Sequence, residues 1–477
     1  MSLRKHASSS SSYPTCSSMA DTTPNDNRDA ADAFVGEEIE AGTAASVSEK
    51  PPPSAWPKAI KLFWLLLPSP ISRRFGHSDA PVPQPTSTSY LNGLRGIAAL
   101  VVILQHNTNE YYVELHRGWG DEEGDHYIMQ LPFIRLLLHG SLMVAIFFVI
   151  SGFALTYGPL GHAHAGRVDD VLAHLPSSVF RRPLRLFLPI VPVITVSLLL
   201  IQCQLFYSLR SDDFMTAQSN IFKEFAVAID QTLLMTATSV AMPYFAQGWT
   251  LTMELHGSLL VYLCLAAFVR LQPRMRIGFI VLLAVYELEV AQWEMFLLLI
   301  GMLLADLRHL RAREPGASLD RRAHAGWWIL LIFGLFVGGW PIYGNGGKTM
   351  GMKYINWIPT HHIQKNRFWH MAGGTMIVSA IENLPLLQAG LNWGPILYLG
   401  EISYALYLVH WMMEQCWFTK GFLIYLAKEL KMPFFYALII ESCVSLPATF
   451  WVADIHWRLV DRRAVAFSKR VVEKLGI

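Results

Sequence analysis

The stretch Leu91–Asn107, LNGLRGIAALVVILQHN, decides how the rest of the chain is read. Apolar and small residues fill nearly all of it between Arg95 and His106. Eleven helical steps of about 100° return the chain to within about 20° of its starting direction, with a rise of about 16 Å, so the two side chains share one helix face. Ionisable residues inside a membrane span are costly to insert, which makes each a functional hypothesis with a paired structural residue as its rival. An imidazole changes charge near neutral pH and suits general-base work. A hydrogen-bonded packing histidine would account for the position equally well.

The composition around this stretch agrees with a lipid setting. The 477 residues are 53% hydrophobic and 16% charged, where soluble proteins carry about a quarter charged residues; mean hydropathy is +0.33. Apolar segments follow at 92–106, 141–157, 184–206, 249–269, 277–291, 293–307, 327–343, 367–385, 395–415 and 433–453. A hydrocarbon core of about 30 Å needs roughly 20 apolar residues per helix. The expected fold is therefore all-α, a polytopic transmembrane helical bundle of about ten spans. The segment 225–242 carries Asp230 and reads as a non-spanning helix.

Four regions are expected. Residues 1–57, rich in Ser, Ala, Pro and acids, read as a disordered cytosolic tail, because such a composition buries too little surface to offset chain entropy. Residues 58–87 contain one short apolar run flanked by Lys58, Lys61, Arg73 and Arg74 and read as interfacial. Residues 88–460 form the membrane domain, and 461–477 a basic cytosolic tail. No apolar run at the start suggests a cleaved signal peptide.

Lysine and arginine accumulate in short cytosolic loops. Here Arg167, Arg181, Arg182 and Arg185 follow the second segment, Arg270, Arg274 and Arg276 the fourth, and Arg308, Arg311, Arg313, Arg321 and Arg322 the sixth. The loop after the first segment is acidic, with Asp121, Glu122, Glu123 and Asp125. An even number of spans with both termini in the cytosol satisfies this pattern. The net charge of +2 gives no field for a nucleic acid. Five scattered cysteines read as small core hydrophobes, and neither they nor His162, His164, His361 and His362, all read as loop residues, have the spacing of a metal site.

Other segments carry chemistry of their own. GWTLTMELHGSLLVYL puts Glu254 near the depth of His106, where a carboxylate could orient or stabilise the ring; a structural partner for an arginine is the alternative. FFVISGFALTYG sets Ser151 and Gly152 among bulky residues, permitting close backbone approach, as helix packing alone would also require. LGEISYALYLVHW holds Glu401, Ser403, Tyr404, Tyr407 and His410 in one helix. FRRPLRLFLP places Arg182 and Arg185 three apart, a fork suited to phosphate, although topology alone also puts arginines there.

Taken in order over about 88–460, LNGLRG, the Arg95/His106 pair, FFVISGF, the Arg182/Arg185 pair and SYALYLVH resemble the acyltransferase 3 family of integral membrane acyltransferases, and most of all its fungal-type branch. The resemblance implies transfer of an acyl group, commonly acetyl, from acyl-CoA as co-substrate to a hydroxyl of a sugar, glycolipid or small metabolite, with no bound cofactor or metal. It implies that His106 and Glu254 are catalytic, that Arg95, Arg182 and Arg185 bind the donor, and that Ser151, Gly152, Ser403, Tyr404 and His410 support them. His106 would act as base or carry the acyl group transiently. The family usually has Asp where this chain has Asn92, a change that helix capping would survive. A lipid or metabolite transporter using the same buried polar residues is the rival reading.

Overall fold

The computed structural model describes residues 63–77, 85–217, 220–239, 242–312, 321–360 and 362–476. The expected tail at 1–57 and His361 lie outside them. The described residues are helical, with only isolated bridges such as Phe206 to Cys416 in place of strands. The helices are α1 (Ser89–Tyr111), α2 (Gly140–His164), α3 (Val168–Phe187), α4 (Ile190–Gln202), α5 (Ile221–Leu234), α6 (Trp249–Phe268), α7 (Pro273–Glu289), α8 (Trp293–Ala312), α9 (Arg321–Gly338), α10 (Lys365–Ile381), α11 (Pro385–Leu391), α12 (Gly394–Gln415), α13 (Phe434–His456) and α14 (Arg462–Leu475).

All ten apolar segments fall on helices, but only four stretches among the described residues are long and apolar enough to cross a membrane: Gly140–His164, Val168–Gln202, Ala246–Phe268 and Phe434–Leu475. The count of ten crossings is therefore not carried over. Helices α7 and α10 have 17 residues each, short of the roughly 20 a span needs. Helices α1, α8 and α12 are longer but interrupted by polar residues turned towards protein, among them Arg95, Asp306 and Glu401. The 225–242 segment supplies α5, a helix of 14 residues.

Helix α2 is the central element, packed against α1, α8 and α10, while α12 packs against α1 and α13. Small residues set two of these crossings. A Cβ on Gly152 would lie 2.0 Å from the Leu298 carbonyl oxygen and one on Gly301 2.2 Å from that of Val149, so α2 and α8 touch backbone to backbone. A Cβ on Gly400 would lie 2.2 Å from the Asn92 oxygen, which fixes α12 against α1 in the same way. Asn92 is thus a buried crossing residue inside α1 rather than a cap: the cap position is Thr88, and the Asn92 Oδ1 has no partner among the described residues.

The two ends of the bundle differ in chemistry. At one, the loops 112–139 and 339–364 interlock, with Ile342 donating to the His116 carbonyl at 3.2 Å, Met350 to that of Trp119 at 3.2 Å and Asn345 to Asp121 at 2.8 Å. This is the capped end. At the other lie α14, the basic half of α3 and a short helix, Ser69–Arg74. Ser69 donates from its backbone and hydroxyl to Asp454 at 2.9 and 2.6 Å, and Arg458 closes on the same carboxylate at 2.8 Å. This basic end is further tied by Asp306, which takes both Arg276 nitrogens and His164 at 2.6 Å each. His162 and His164 are therefore buried residues of the last turn of α2, not loop residues. Of the described cysteines, Cys264 and Cys416 are buried and Cys203 and Cys443 exposed, so only the first two serve as core hydrophobes.

Candidate functional site

Two cavities lie one above the other along α1 and α2. The one towards the basic end has about 1090 Å³ of empty space including its mouth, and eight of the residues singled out in the sequence line it: Arg95, Ser151, Arg182, Arg185, Glu254, Ser403, Tyr404 and Tyr407. They come from α1, α2, α3, α6 and α12, so no local stretch could build the cavity. Three cations face two carboxylates here, the second being Asp461.

The fork does not present two equivalent arginines. Arg182, 8% exposed, is held from several sides: its Nε donates to Ser258 at 2.8 Å, and its Nη2 to Ser151 at 3.2 Å and to the Glu254 carboxylate. Ser151 also donates to Glu254, and the Ser258 hydroxyl donates to the Glu254 carbonyl at 2.6 Å. Glu254 is therefore the partner of Arg182, and the expected pairing with His106 is not formed. Arg95 is anchored to α12 through Ser403 at 2.8 Å and the Gly400 carbonyl at 3.0 Å. Arg185 lies at the cavity wall on the same helix as Arg182, within the field of Asp461. Tyr404 donates to the Leu186 carbonyl at 2.5 Å, which fixes the end of α3 against α12.

The second cavity, about 740 Å³ with its mouth, lies towards the capped end and is lined by His106 with Gln105, Trp249, Trp293, Arg367 and His370 among others. Val144 of α2 lines both cavities. His106 makes no hydrogen bond to the described residues; its ring sits 5.3 Å from that of His410 and 5.7 Å, edge to face, from Trp411. His410, 1% exposed, is oriented by a hydrogen bond of 2.7 Å to the Tyr407 carbonyl and faces a third, smaller cavity with Glu414 and Glu441. Gly152 faces α8, so it is a packing residue and not part of either cavity.

Several lining residues were not foreseen. Asp461 sits in a π-turn, Trp457–Asp461, that joins α13 to α14 and swings its carboxylate inward, a device concentrated at functional sites. In the sequence it is one acid in the run Arg458–Arg463 and reads as part of a solvated tail. Arg367 and His370 follow a long loop, and Trp249 and Trp293 open two apolar segments. The charge of Arg367 at the start of an apolar segment was the available signal.

A family model described as an acyltransferase domain matches residues 88–458, covering every helix from α1 to α13. The chain belongs to the acyltransferase 3 family. It is accordingly an acyltransferase and, with its apolar helices, a membrane protein. Over 440 residues it is 29% identical to the O-acetyltransferase PaAT-1 of Phomopsis amygdali, covering 82% of this chain and 85% of that one. It is 21% identical over 403 residues to acyltransferase R4 of a Phoma species and 19% identical over 398 residues to acyltransferase clz18 of Cochliobolus lunatus, each covering 71% of this chain and 84% of the relative. These relatives are fungal, as the family branch is. No solved structure matches the chain.

Proposed function

We propose that this acyltransferase moves an acetyl group from acetyl-CoA to a hydroxyl, with donor and acceptor entering from opposite ends of the bundle. The observation that carries this reading is the stacking of the two cavities on α1, with Arg95 in one and His106 in the other. The eleven residues between them give a rise of about 16 Å, suited to a donor whose charged head stays at the basic end while its thioester reaches the ring. The basic end faces the cytosol in this proposal, with both termini on that side, and Arg185 and Arg95 take the donor's phosphates. The name of the Phomopsis relative supports acetyl as the group transferred and oxygen as the atom acylated.

The chemistry then follows from the free ring. His106 takes the proton of the acceptor hydroxyl as its oxygen attacks the thioester carbonyl; the carbon–sulfur bond breaks, and the imidazolium returns the proton to the departing thiolate. His410 and Trp411 hold the ring in place, so His410 is a positioning residue. Glu254 fixes Arg182 and shapes the wall of the donor cavity, in place of the direct support for His106 expected from depth alone. Membranes given labelled acetyl-CoA should label a product, and His106→Ala should lower turnover by about 100-fold or more at unchanged expression. Undiminished turnover in that variant overturns the assignment.

A further inference from the structure

The geometry points to an acceptor that is a flat, apolar ring system bearing a hydroxyl and an anionic oxygen group, seated against the wall that Trp249 and Trp293 form, with its anion on Arg367. This rests on the proposal that His106 receives the acceptor in the second cavity. The two indole rings have centroids 6.5 Å apart and planes tilted by 47°, and Trp293 is held edge to face against Phe148 at 5.3 Å, giving an apolar wall of fixed shape. The Arg367 guanidinium lies 4.7 Å over the Trp293 ring. That contact engages the charge of the cation without supplying its donors a carboxylate or carbonyl acceptor.

No hydrogen bond or ion pair from the Arg367 side chain reaches a described residue. Glu294, 7% exposed, acts on Arg367 only through its field, and His370 donates its Nε2 hydrogen to the Trp340 carbonyl at 2.8 Å. A guanidinium lining a cavity with its fork unused is a site for a carboxylate or phosphate. Gln105, whose Oε1 accepts from the Ser141 backbone at 2.9 Å, is held one residue from His106 on the same wall. The hydroxyl is thus presented to His106 when the ring lies on tryptophan and the anion on Arg367.

The test uses the purified full chain in nanodiscs with three probes: 3-hydroxy-2-naphthoate, its methyl ester and 2-naphthol. The parent protein should bind the acid about 10-fold or more tightly than either neutral probe by calorimetry, the worth of one charge-assisted hydrogen bond or more. Arg367→Gln should reduce that preference to within about 2-fold without altering 2-naphthol binding, Arg367→Lys should restore part of it, and Trp293→Leu should weaken all three. Equal binding of acid and ester by the parent protein, or binding of none, overturns the inference even if no variant folds. So does a loss of free coenzyme A affinity in Arg367→Gln, which would put the anion on the donor. The acid-over-ester preference reads Arg367 and needs no turnover, whereas acetyl transfer by His106→Ala reads the proposed function, so the two results report separately on this inference and on the acetyl-transfer reading.

Discussion

Removing Arg182 alone should damage the fold more than removing it together with its partner. In Arg182→Ala the Glu254 carboxylate keeps the hydroxyl of Ser151 but loses the guanidinium bonded to it. Breaking a buried ion pair from one side costs about 3 to 5 kcal/mol, because a charge is left uncompensated in a poor solvent. The two side chains are 9% and 17% exposed, and the carboxylate borders a cavity, so the lower bound of about 3 kcal/mol applies. Arg182→Met combined with Glu254→Gln removes both charges and should return stability to within about 1 kcal/mol of the parent. Reversible unfolding in mixed micelles, followed by tryptophan fluorescence, measures all of these. An Arg182→Ala protein as stable as the parent, or a double variant as unstable as the single one, would refute the view that the pair is a mutually compensating buried unit.

Asp306→Ala should cost about 3 to 5 kcal/mol in the same titration, since Arg276, 2% exposed, loses both of its carboxylate bonds. Gly152→Ala should cost about 1 to 3 kcal/mol by driving α2 away from the Leu298 backbone, whereas Gly278→Ala, with open space around it, should be nearly neutral. Arg185→Ala should raise the donor KM about 10-fold with little change in kcat, the pattern of a group that binds ground and transition states alike; initial rates over a range of acetyl-CoA concentrations decide this.

Helix content and the candidate residues of the basic-end cavity were legible in the sequence, because both depend on local features. An apolar run forms a helix wherever lipid or protein surrounds it, and an arginine or glutamate within such a run is conspicuous from its cost. Four residues read this way, Arg95, Arg182, Arg185 and Glu254, converge on one cavity. Their partnerships were not legible. Depth along a helix axis put Glu254 beside His106, but rotation about that axis and the close α2–α8 crossing turn it to Arg182 and Ser151 instead. The number of crossings is not legible for a related reason: a polar residue in a helix looks the same whether its neighbour is lipid or another helix.

What the chain alone determined is the helical periodicity, the clustering of basic residues in alternate loops, and the shared face of Arg95 and His106, all consequences of residue order. What only the tertiary structure decided is that this face borders two cavities, that Asp461 and Arg367 enter them, and that Asn92 and Gly152 serve helix crossings. These features join segments up to hundreds of residues apart. Which side chains meet there is set by backbone approach and by the need of each buried charge for a partner.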